Sequence, residues 1–257
     1  MRIGVIFYAK TEWEDVLAAA KEADQSRIDA IGIGDRYYGD ADDPFLSGLT
    51  LYGALAVATQ RVNLVPMVLS HPNMQIGRLA KETTMLAMMS HGRFELGIGV
   101  GDYPLEPHAW GEPWPAGHER VDALEETIMV LQRVWTGEHV TFEGRYLHTQ
   151  GAGCRPVPAR PPRIVIGAGR SSYLVRSAIK YADEINVWGE DMLRQASLHI
   201  AQSRRPIQLS IGWDQEVAAF EQQVEALEKM GVSRVYFNLW HPFTSLPALC
   251  NVAEKLA

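Results

Sequence analysis

The sequence predicts an α/β fold: a (β/α)8 TIM barrel with an inserted hairpin and irregular region between the fourth helix and the fifth strand. Short apolar runs rich in β-branched residues alternate along the chain with longer segments whose apolar residues recur three and four positions apart. The short runs are typical of buried parallel strands, and the longer segments of helices that cover them. Eight repeats of this pair indicate a closed barrel. Because no change of composition marks a boundary, residues 1–257 are expected to form a single domain.

The eight predicted strands share a short, uninterrupted apolar stretch and cover residues 3–7, 30–33, 62–68, 94–98, 164–166, 184–187, 207–211 and 235–239. The eight predicted helices share periodic apolar positions and cover residues 13–23, 45–58, 76–89, 120–135, 171–182, 192–202, 215–230 and 245–256. One segment breaks the alternation, because Val140, Phe142 and Tyr146 alternate around Glu143-Gly144, and a stretch rich in proline and glycine follows at 151–162. This segment predicts a small hairpin and an irregular connection.

Composition and net charge narrow the kinds of molecule that the protein is expected to bind. The chain has 257 residues and a formal net charge of −7, so it lacks the basic face that attracts nucleic acids and anionic membranes. No apolar stretch approaches the roughly 20 residues of a membrane-spanning helix. Cys154 and Cys250 form neither a CxxC pair nor a disulfide framework, and the histidines show no metal-ligand spacing. We therefore expect a soluble, cytoplasmic protein with a small organic partner and no metal, nucleic acid or membrane.

The fourth predicted strand ends in alternating glycines, Gly97, Gly99 and Gly101, followed by Asp102. Glycines at a strand end let a planar ligand or another backbone approach closely, although they also suit a simple bulge or tight corner. The active site of a βα barrel lies at the carboxyl ends of its strands. We therefore expect Gly99 to Asp102 in the site, and His91 and Arg93, which precede the strand, on the opposite, stabilising face.

The fifth predicted strand leads through Gly167, Ala168, Gly169 and Arg170 into a helix. The free N–H groups at a helix start suit a phosphate, so this turn is a candidate phosphate cradle. The alternative is an ordinary turn in which Ser171 or Ser172 caps the helix. Four arginines near this turn in the sequence, Arg155, Arg160, Arg163 and Arg170, are expected either to hold an acidic ligand or to be solvated surface side chains.

Two further strand ends and one loop carry polar side chains. Asp35 follows the second strand and is expected to accept a hydrogen bond from a ligand or to cap its loop. His71 follows the third strand and is a candidate acid or base, or a loop hydrogen-bonding residue. The loop at 102–115 carries Asp102, Glu106, a histidine and three aromatic residues, so it is long enough to cover a pocket. This loop and the loop at 36–44 are expected to shape the substrate pocket.

The order and spacing of these motifs resemble the bacterial luciferase-like superfamily of flavin- and F420-dependent oxidoreductases. The residues that carry the resemblance are Leu79-Ala80-Lys81-Glu82, the run from Ser90 to Gly101, Glu106, Gly111, Arg120, Leu124-Glu125-Glu126, Trp135-Thr136-Gly137, Phe142-Glu143-Gly144, Ile166-Gly167-Ala168-Gly169 and Tyr181-Ala182-Asp183. The resemblance covers nearly the whole chain. It implies a (β/α)8 barrel, often dimeric, that binds FMN or the deazaflavin F420 at the carboxyl ends of the strands.

The resemblance also implies roles for individual residues. It assigns Asp35 to the loop that flanks the isoalloxazine ring, Gly99 to Gly101 to the floor near the ring, and Gly167 to Gly169 to the phosphate. Met67 and Val68 match the position of a non-prolyl cis peptide bond that supports the ring in other members. Two positions depart from the pattern: Arg36 stands where many members have a histidine, and Asp102 stands where F420-dependent sugar-phosphate dehydrogenases have a glutamate.

The resulting hypothesis is an F420-dependent oxidoreductase that transfers hydride to or from a small organic substrate. FMN is the alternative cofactor, because its phosphate would suit the same arginines, and it would imply a monooxygenase. A non-catalytic flavin-binding protein and a cofactor-free phosphosugar isomerase are the further alternatives. Proton transfer needs a group beside the reacting atoms, for which the candidates in order are Asp102, His71 and Glu106. The resemblance is compatible with a homodimer.

Overall fold

A computed structural model describes residues 1–37 and 43–256. Its strands, in chain order, are β1 Arg2–Tyr8, β2 Ala30–Ile33, β3 Asn63–Leu64, β4 Leu69–Ser70, β5 Glu95–Gly99, β6 Val140–Glu143, β7 His148–Ala152, β8 Arg163–Gly169, β9 Glu184–Val187, β10 Gln208–Trp213 and β11 Val232–Trp240. Nine of them form a parallel sheet in the order β3-β2-β1-β11-β10-β9-β8-β5-β4. Leu64 of β3 also pairs in parallel with Phe94 beside β5, which closes the sheet. The predicted barrel is confirmed.

The third barrel position differs from its prediction. The continuous strand expected at 62–68 is divided into β3, which pairs with β2, and β4, which pairs with β5. Between them lies Pro66, which has no N–H to donate to a neighbouring strand. The Met67–Val68 peptide bond is cis, at the position that the family resemblance implies.

The helices are α1 Trp13–Gln25, α2 Leu49–Ala58, α3 Ile76–Met89, α4 Leu105–Ala109, α5 Gly117–Val134, α6 Ser172–Ala178, α7 Glu190–Ala201, α8 Val217–Glu221, α9 Val224–Lys229 and α10 Leu246–Lys255. Three differences from the prediction stand out. Helix α2 begins four residues later than expected, after Gly48 with φ +99°, a conformation that glycine adopts readily. The helix expected at 215–230 is divided into α8 and α9, and α4 lies in the expected loop. Among the described residues, no helix combines the length and apolar character that crossing a bilayer requires.

The predicted insertion is present as the antiparallel pair β6 and β7. Its turn is fastened to the barrel by Glu126 of α5, whose carboxylate accepts hydrogen bonds from the amides of Arg145, Tyr146 and Leu147 at 2.8 to 2.9 Å. Because a carboxylate accepts several amide hydrogen bonds at once, the single side chain of Glu126 fixes the whole turn. An irregular connection then leads into β8, as predicted.

Two features of the barrel interior place the open space at one end. A small apolar cluster of Ile6, Ala30, Val65, Met67, Val165 and Tyr236 fills the middle. Below it, the side chain of Arg234 is fully buried and lies 2.7 Å from Asp29, 3.0 Å from Glu95 and 3.2 Å from Glu184. Arg163 lies 3.2 Å from Glu95 in the same layer. Since Glu95, Arg163 and Glu184 each begin a strand, this ionic layer closes the amino end of the barrel.

Candidate active site

A cavity of about 1020 Å³ opens at the carboxyl end of the barrel. Every predicted site residue except His71 lines it: Asp35, Met67, Val68, Gly99, Gly101, Asp102, Glu106, Gly167, Ala168, Gly169 and Arg170. These residues come from strands that are distant in sequence and adjacent in the sheet. The structure therefore brings the predicted residues together at the carboxyl end of the barrel, where βα-barrel enzymes carry their active sites.

The floor of the cavity is the side chain of Val68, which packs against two glycines. A Cβ atom on Gly99 would lie 2.9 Å from Val68 Cγ2, and one on Gly167 would lie 2.7 Å from Val68 Cγ1. Carbon atoms in normal contact are about 3.5–4.0 Å apart, so both positions require glycine. The two glycines let the isopropyl group of Val68 pack closely against β5 and β8, where it forms an apolar part of the cavity lining.

Asp35 connects three segments at the rim of the floor. Its Oδ2 accepts a hydrogen bond from the Ser70 amide at 2.9 Å, and its Oδ1 accepts one from the Ser47 hydroxyl at 3.1 Å. Burial raises the pKa of Asp35, while these two hydrogen bonds act in the opposite direction. The loop-fixing role, one of the two expected for Asp35, is therefore present in the structure.

The two acids of the 102–115 loop have different environments. Glu106 is 2% exposed, and its Oε1 lies 3.0 Å from Nε of Arg36. The Arg36 guanidinium also lies 4.0 Å from the centroid of the Tyr103 ring. Asp102 is exposed on the cavity wall, directly after Gly101. Asp102 is thus the accessible carboxylate of the pair, and Glu106 is held in an ion pair.

His71 faces away from the cavity, contrary to the expectation that it would be an acid or base at the site. It begins a short 3₁₀ turn, and its Nε2 lies 2.9 Å from the hydroxyl of Thr127 on α5. Burial lowers the pKa of His71 to about 4, so the ring is neutral near pH 7. Its loop hydrogen-bonding alternative, rather than the acid-base role, agrees with this position.

The turn after β8 opens toward the cavity. Gly169 has φ +53°, and a Cβ built there would have no atom within 4 Å. Ser171 caps α6, because its side chain accepts a hydrogen bond from the Leu174 amide at 3.2 Å. The predicted cap is confirmed, and the backbone of the turn stays accessible beside it.

Only one of the four arginines expected around this turn lies beside it. Arg170 lines the cavity, whereas Arg163 pairs with Glu95 at the amino end of the barrel. The six residue steps of β8 separate Arg163 from Gly169 by about 20 Å. Arg155 donates to the Gly137 carbonyl at 2.8 Å, and Arg160 packs beside Gly92 in a loop at the amino end. Nearness in sequence therefore predicted the wrong position for three of the four arginines, which do not lie beside the turn.

One wall of the cavity was missed by the sequence analysis. It consists of Tyr8, Phe45, Trp188 and Trp240, which we call the aromatic wall. The rings of Tyr8 and Trp240 are stacked with centroids 4.5 Å apart and an angle of 19°. Tyr8, Trp188 and Trp240 stand at or just after the carboxyl ends of strands, which is the sequence signal that the barrel rule offers, but aromatic rings at such positions also pack in the core.

The two loops predicted to shape the substrate pocket are described to different extents and line the cavity only in part. Tyr103 lines the cavity, but Trp110 is 71% exposed, contacts Tyr37 at a centroid distance of 6.2 Å and lies outside the cavity lining. Residues 38–42 of the 36–44 loop lie outside the described residues. Within the described parts of the chain, no cluster of three His, Cys, Asp or Glu residues could hold a metal ion.

Comparison with known proteins now decides the family. The family model described as luciferase-like monooxygenase matches residues 1–244. The chain belongs to this luciferase-like family. The resemblance inferred from the sequence motifs is thereby confirmed.

Within this family, a sequence relative is the F420-dependent glucose-6-phosphate dehydrogenase of Nakamurella multipartita, which is 34% identical over 168 residues, 63% of this chain and 47% of the relative. The chain spans about half the length of the curated relatives it matches. Two solved structures share the fold. An F420-dependent secondary alcohol dehydrogenase has a TM-score of 0.81 at 14% identity, covering 100% of this chain and 98% of that one. The F420-dependent tetrahydromethanopterin reductase of Methanopyrus kandleri has a TM-score of 0.80 at 15% identity, covering 99% and 97%.

Proposed function

We propose that this protein is an F420-dependent oxidoreductase that transfers hydride to or from a small organic substrate. The observation that carries the proposal is the pairing of an apolar floor with an open glycine turn at the same end of the barrel. The floor at Val68 suits a planar tricyclic ring, and the turn at Gly167 to Gly169 lets a phosphate reach the backbone. The residues present therefore fit F420. When bound, F420 supplies hydride transfer, because it carries carbon where flavins carry N5.

The choice of F420 over FMN is supported by the sequence relatives, whose names specify F420. The charge argument for an acidic ligand is weaker than the sequence predicts, because Arg170 alone of the four arginines lines the cavity. In this proposal Arg170 and the backbone of the turn hold the phosphate. Asp35 keeps the floor in place through Ser70, since its carboxylate joins the end of β2 to the strand that follows Val68.

The proton that accompanies hydride transfer is assigned to Asp102. It is the accessible carboxylate of the cavity, whereas Glu106 is held by Arg36 and His71 faces α5. The turn that presents Asp102 is itself fixed: Arg120 donates to the carbonyls of Val100 at 2.9 Å and Gly101 at 3.3 Å. A positioned acid or base of this kind contributes about 10²–10⁴-fold to the rate.

Parallel titration of the protein with F420 and FMN tests the proposal. We expect saturable binding of F420, with FMN bound about tenfold more weakly or worse, a difference of about 1.4 kcal/mol. Tight binding of FMN without binding of F420 would refute the cofactor assignment. Loss of binding in a Gly169→Asp variant would locate the phosphate, because a carboxylate beside the turn repels it.

A matched control for that variant is Gly151→Asp in β7. Gly151 has φ +61° and, like Gly169, no atom within 4 Å of a Cβ position, but it lies on the hairpin outside the cavity. The two substitutions therefore introduce the same charge and similar backbone strain. Only Gly169→Asp is expected to weaken F420 binding; equal affinities of the two variants would exclude the turn as the phosphate site.

A further inference from the structure

We infer that the aromatic wall binds an uncharged, planar carbonyl compound, and that the protein does not use a sugar phosphate as substrate. This inference rests on the proposed function, because it assigns the part of the cavity that F420 would leave open. It differs from glucose 6-phosphate, the substrate in the names of the sequence relatives.

Two members of the aromatic wall, Tyr8 and Trp240, face the proposed cofactor floor, whereas Trp188 follows β9 beside β8 and its amide donates to the Gly169 carbonyl at 2.9 Å. In the barrel order, β1 lies four positions from β8 and β11 lies four positions from β5, so these strand pairs are opposite one another. Tyr8 and Trp240 end β1 and β11, while Gly99 and Gly167 belong to β5 and β8. A substrate held by Tyr8 and Trp240 would therefore lie between these rings and a cofactor resting on Val68.

The shape of the wall suits a flat ligand. Tyr8 and Trp240 are direct neighbours in the register of β1 and β11, and Phe45 packs edge-on to Tyr8 with ring centroids 6.0 Å apart. Trp188 lies against the backbone of β10, because Gly212 has no side chain in its way; a Cβ there would be 2.2 Å from the indole. Trp240 is nevertheless 67% exposed. A planar ligand that covers an exposed indole at a cavity mouth removes apolar surface from water, and this burial favours binding.

The charge of this half of the cavity disfavours a phosphate dianion. Among the described residues, the arginines that line the cavity are Arg36, Arg120 and Arg170. Arg36 is paired with Glu106, and Arg120 donates to three backbone carbonyls. Arg170 belongs to the cofactor turn.

The hydroxyl of Tyr8 supplies a hydrogen-bond donor on the wall. Burial, together with the negative charges of Asp214 and Asp102, raises the pKa of Tyr8 to about 12. The hydroxyl therefore keeps its proton at neutral pH and can donate to a neutral carbonyl oxygen. The same two carboxylates repel an anionic substrate, and Arg36, whose charge lowers the pKa of Tyr8, is paired with Glu106. A neutral carbonyl compound satisfies both conditions, whereas the phosphate dianion of a sugar phosphate does not satisfy the charge condition.

Calorimetric titration with two probes tests the inference, using both the cofactor-free protein and the protein saturated with F420. The probes are (E)-4-phenylbut-3-en-2-one, a neutral planar ketone, and glucose 6-phosphate. We expect the ketone to bind about tenfold more tightly than glucose 6-phosphate, or better, in whichever form of the protein binds it. Equal or tighter binding of glucose 6-phosphate, or no saturable binding of the ketone to either form, would overturn the inference.

Variants of the wall locate the ketone. Trp240→Ala is expected to weaken ketone binding by about tenfold, and Trp240→Phe to restore most of the loss, because a smaller aromatic ring still stacks. Trp110→Ala is the matched control, since Trp110 is also highly exposed, at 71%, but lies outside the cavity lining. Unchanged ketone affinity in a folded Trp240→Ala protein would overturn the inference.

The same experiment separates this inference from the proposed function. F420 binding is measured independently by the fluorescence of the deazaflavin. A protein that binds F420 but prefers glucose 6-phosphate would retain the proposed function and contradict the wall assignment. A protein that binds the ketone through Trp240 but not F420 would contradict the cofactor proposal and support the wall.

Discussion

Replacing Gly167 with alanine tests the packing that forms the cavity floor. The added Cβ would lie 2.7 and 2.8 Å from the two methyl groups of Val68, about 1 Å closer than carbon atoms normally pack. Gly167 is not in the left-handed region, so alanine adds no backbone strain and the whole effect comes from this contact. Val68 has few alternative rotamers with which to escape. Overpacking of this kind costs about 1–3 kcal/mol of unfolding free energy.

The overlap also predicts a pairwise rescue. Val68→Ala removes the methyl groups that the new Cβ would meet, so the Gly167→Ala/Val68→Ala double variant should recover much of the loss, with a coupling energy of about 1 kcal/mol or more. Urea unfolding measures stability, and F420 titration measures whether the displaced Val68 obstructs the ring. Gly53→Ala is the control. Gly53 lies in helix α2, where alanine is favoured over glycine, and a Cβ there would meet no atom closer than 3.9 Å. Strictly additive effects of Gly167→Ala and Val68→Ala would refute the proposed contact.

Three further predictions concern the chemistry, the pH dependence and the stabilising face. Asp102→Asn should slow single-turnover hydride transfer by about tenfold or more while F420 affinity stays nearly constant, and a wild-type rate across pH would remove Asp102 from the mechanism. Because burial lowers the pKa of His71 from 6.5 to about 4, the unfolded chain takes up a proton before the folded protein does; unfolding free energy should fall as pH drops from about 6.5 to about 4, and this slope should flatten in His71→Gln. Arg93→Ala should lower the melting temperature more than it lowers F420 affinity, because Arg93 donates hydrogen bonds to Thr59 and Val62 at the amino end of the barrel; a stable variant that had lost F420 would contradict this.

Most of the barrel could be predicted from the sequence because its signals are local. Most strands of the barrel are short apolar runs, the long helices α1, α3, α5, α7 and α10 are amphipathic, and alternation of strands and helices favours parallel pairing. The break between β3 and β4 could not be predicted from the apolar pattern, since the run at 62–68 reads as one strand. The break lies at Pro66, which has no N–H to donate to a neighbouring strand, so β3 pairs with β2 and β4 pairs with β5.

The site was predictable where it depends on strand ends and not where it depends on side-chain direction. The glycines of β5 and β8 were placed correctly, because their spacing reflects how closely the chain must approach Val68. His71 also follows a strand, but the turn that it begins directs its ring to Thr127 on α5. The aromatic wall escaped notice because apolar rings at strand ends are equally typical of the core, and only the cavity distinguishes the exposed Trp240 from a packed residue.

A crystal structure of the protein with F420 bound would test the central claim most directly. The account predicts the deazaflavin ring on Val68, its phosphate within hydrogen-bond distance of the backbone between Ala168 and Arg170, and the open face of the ring toward Tyr8 and Trp240. A phosphate bound elsewhere, or a ring stacked outside the barrel mouth, would contradict the assignment of this cavity as the cofactor site.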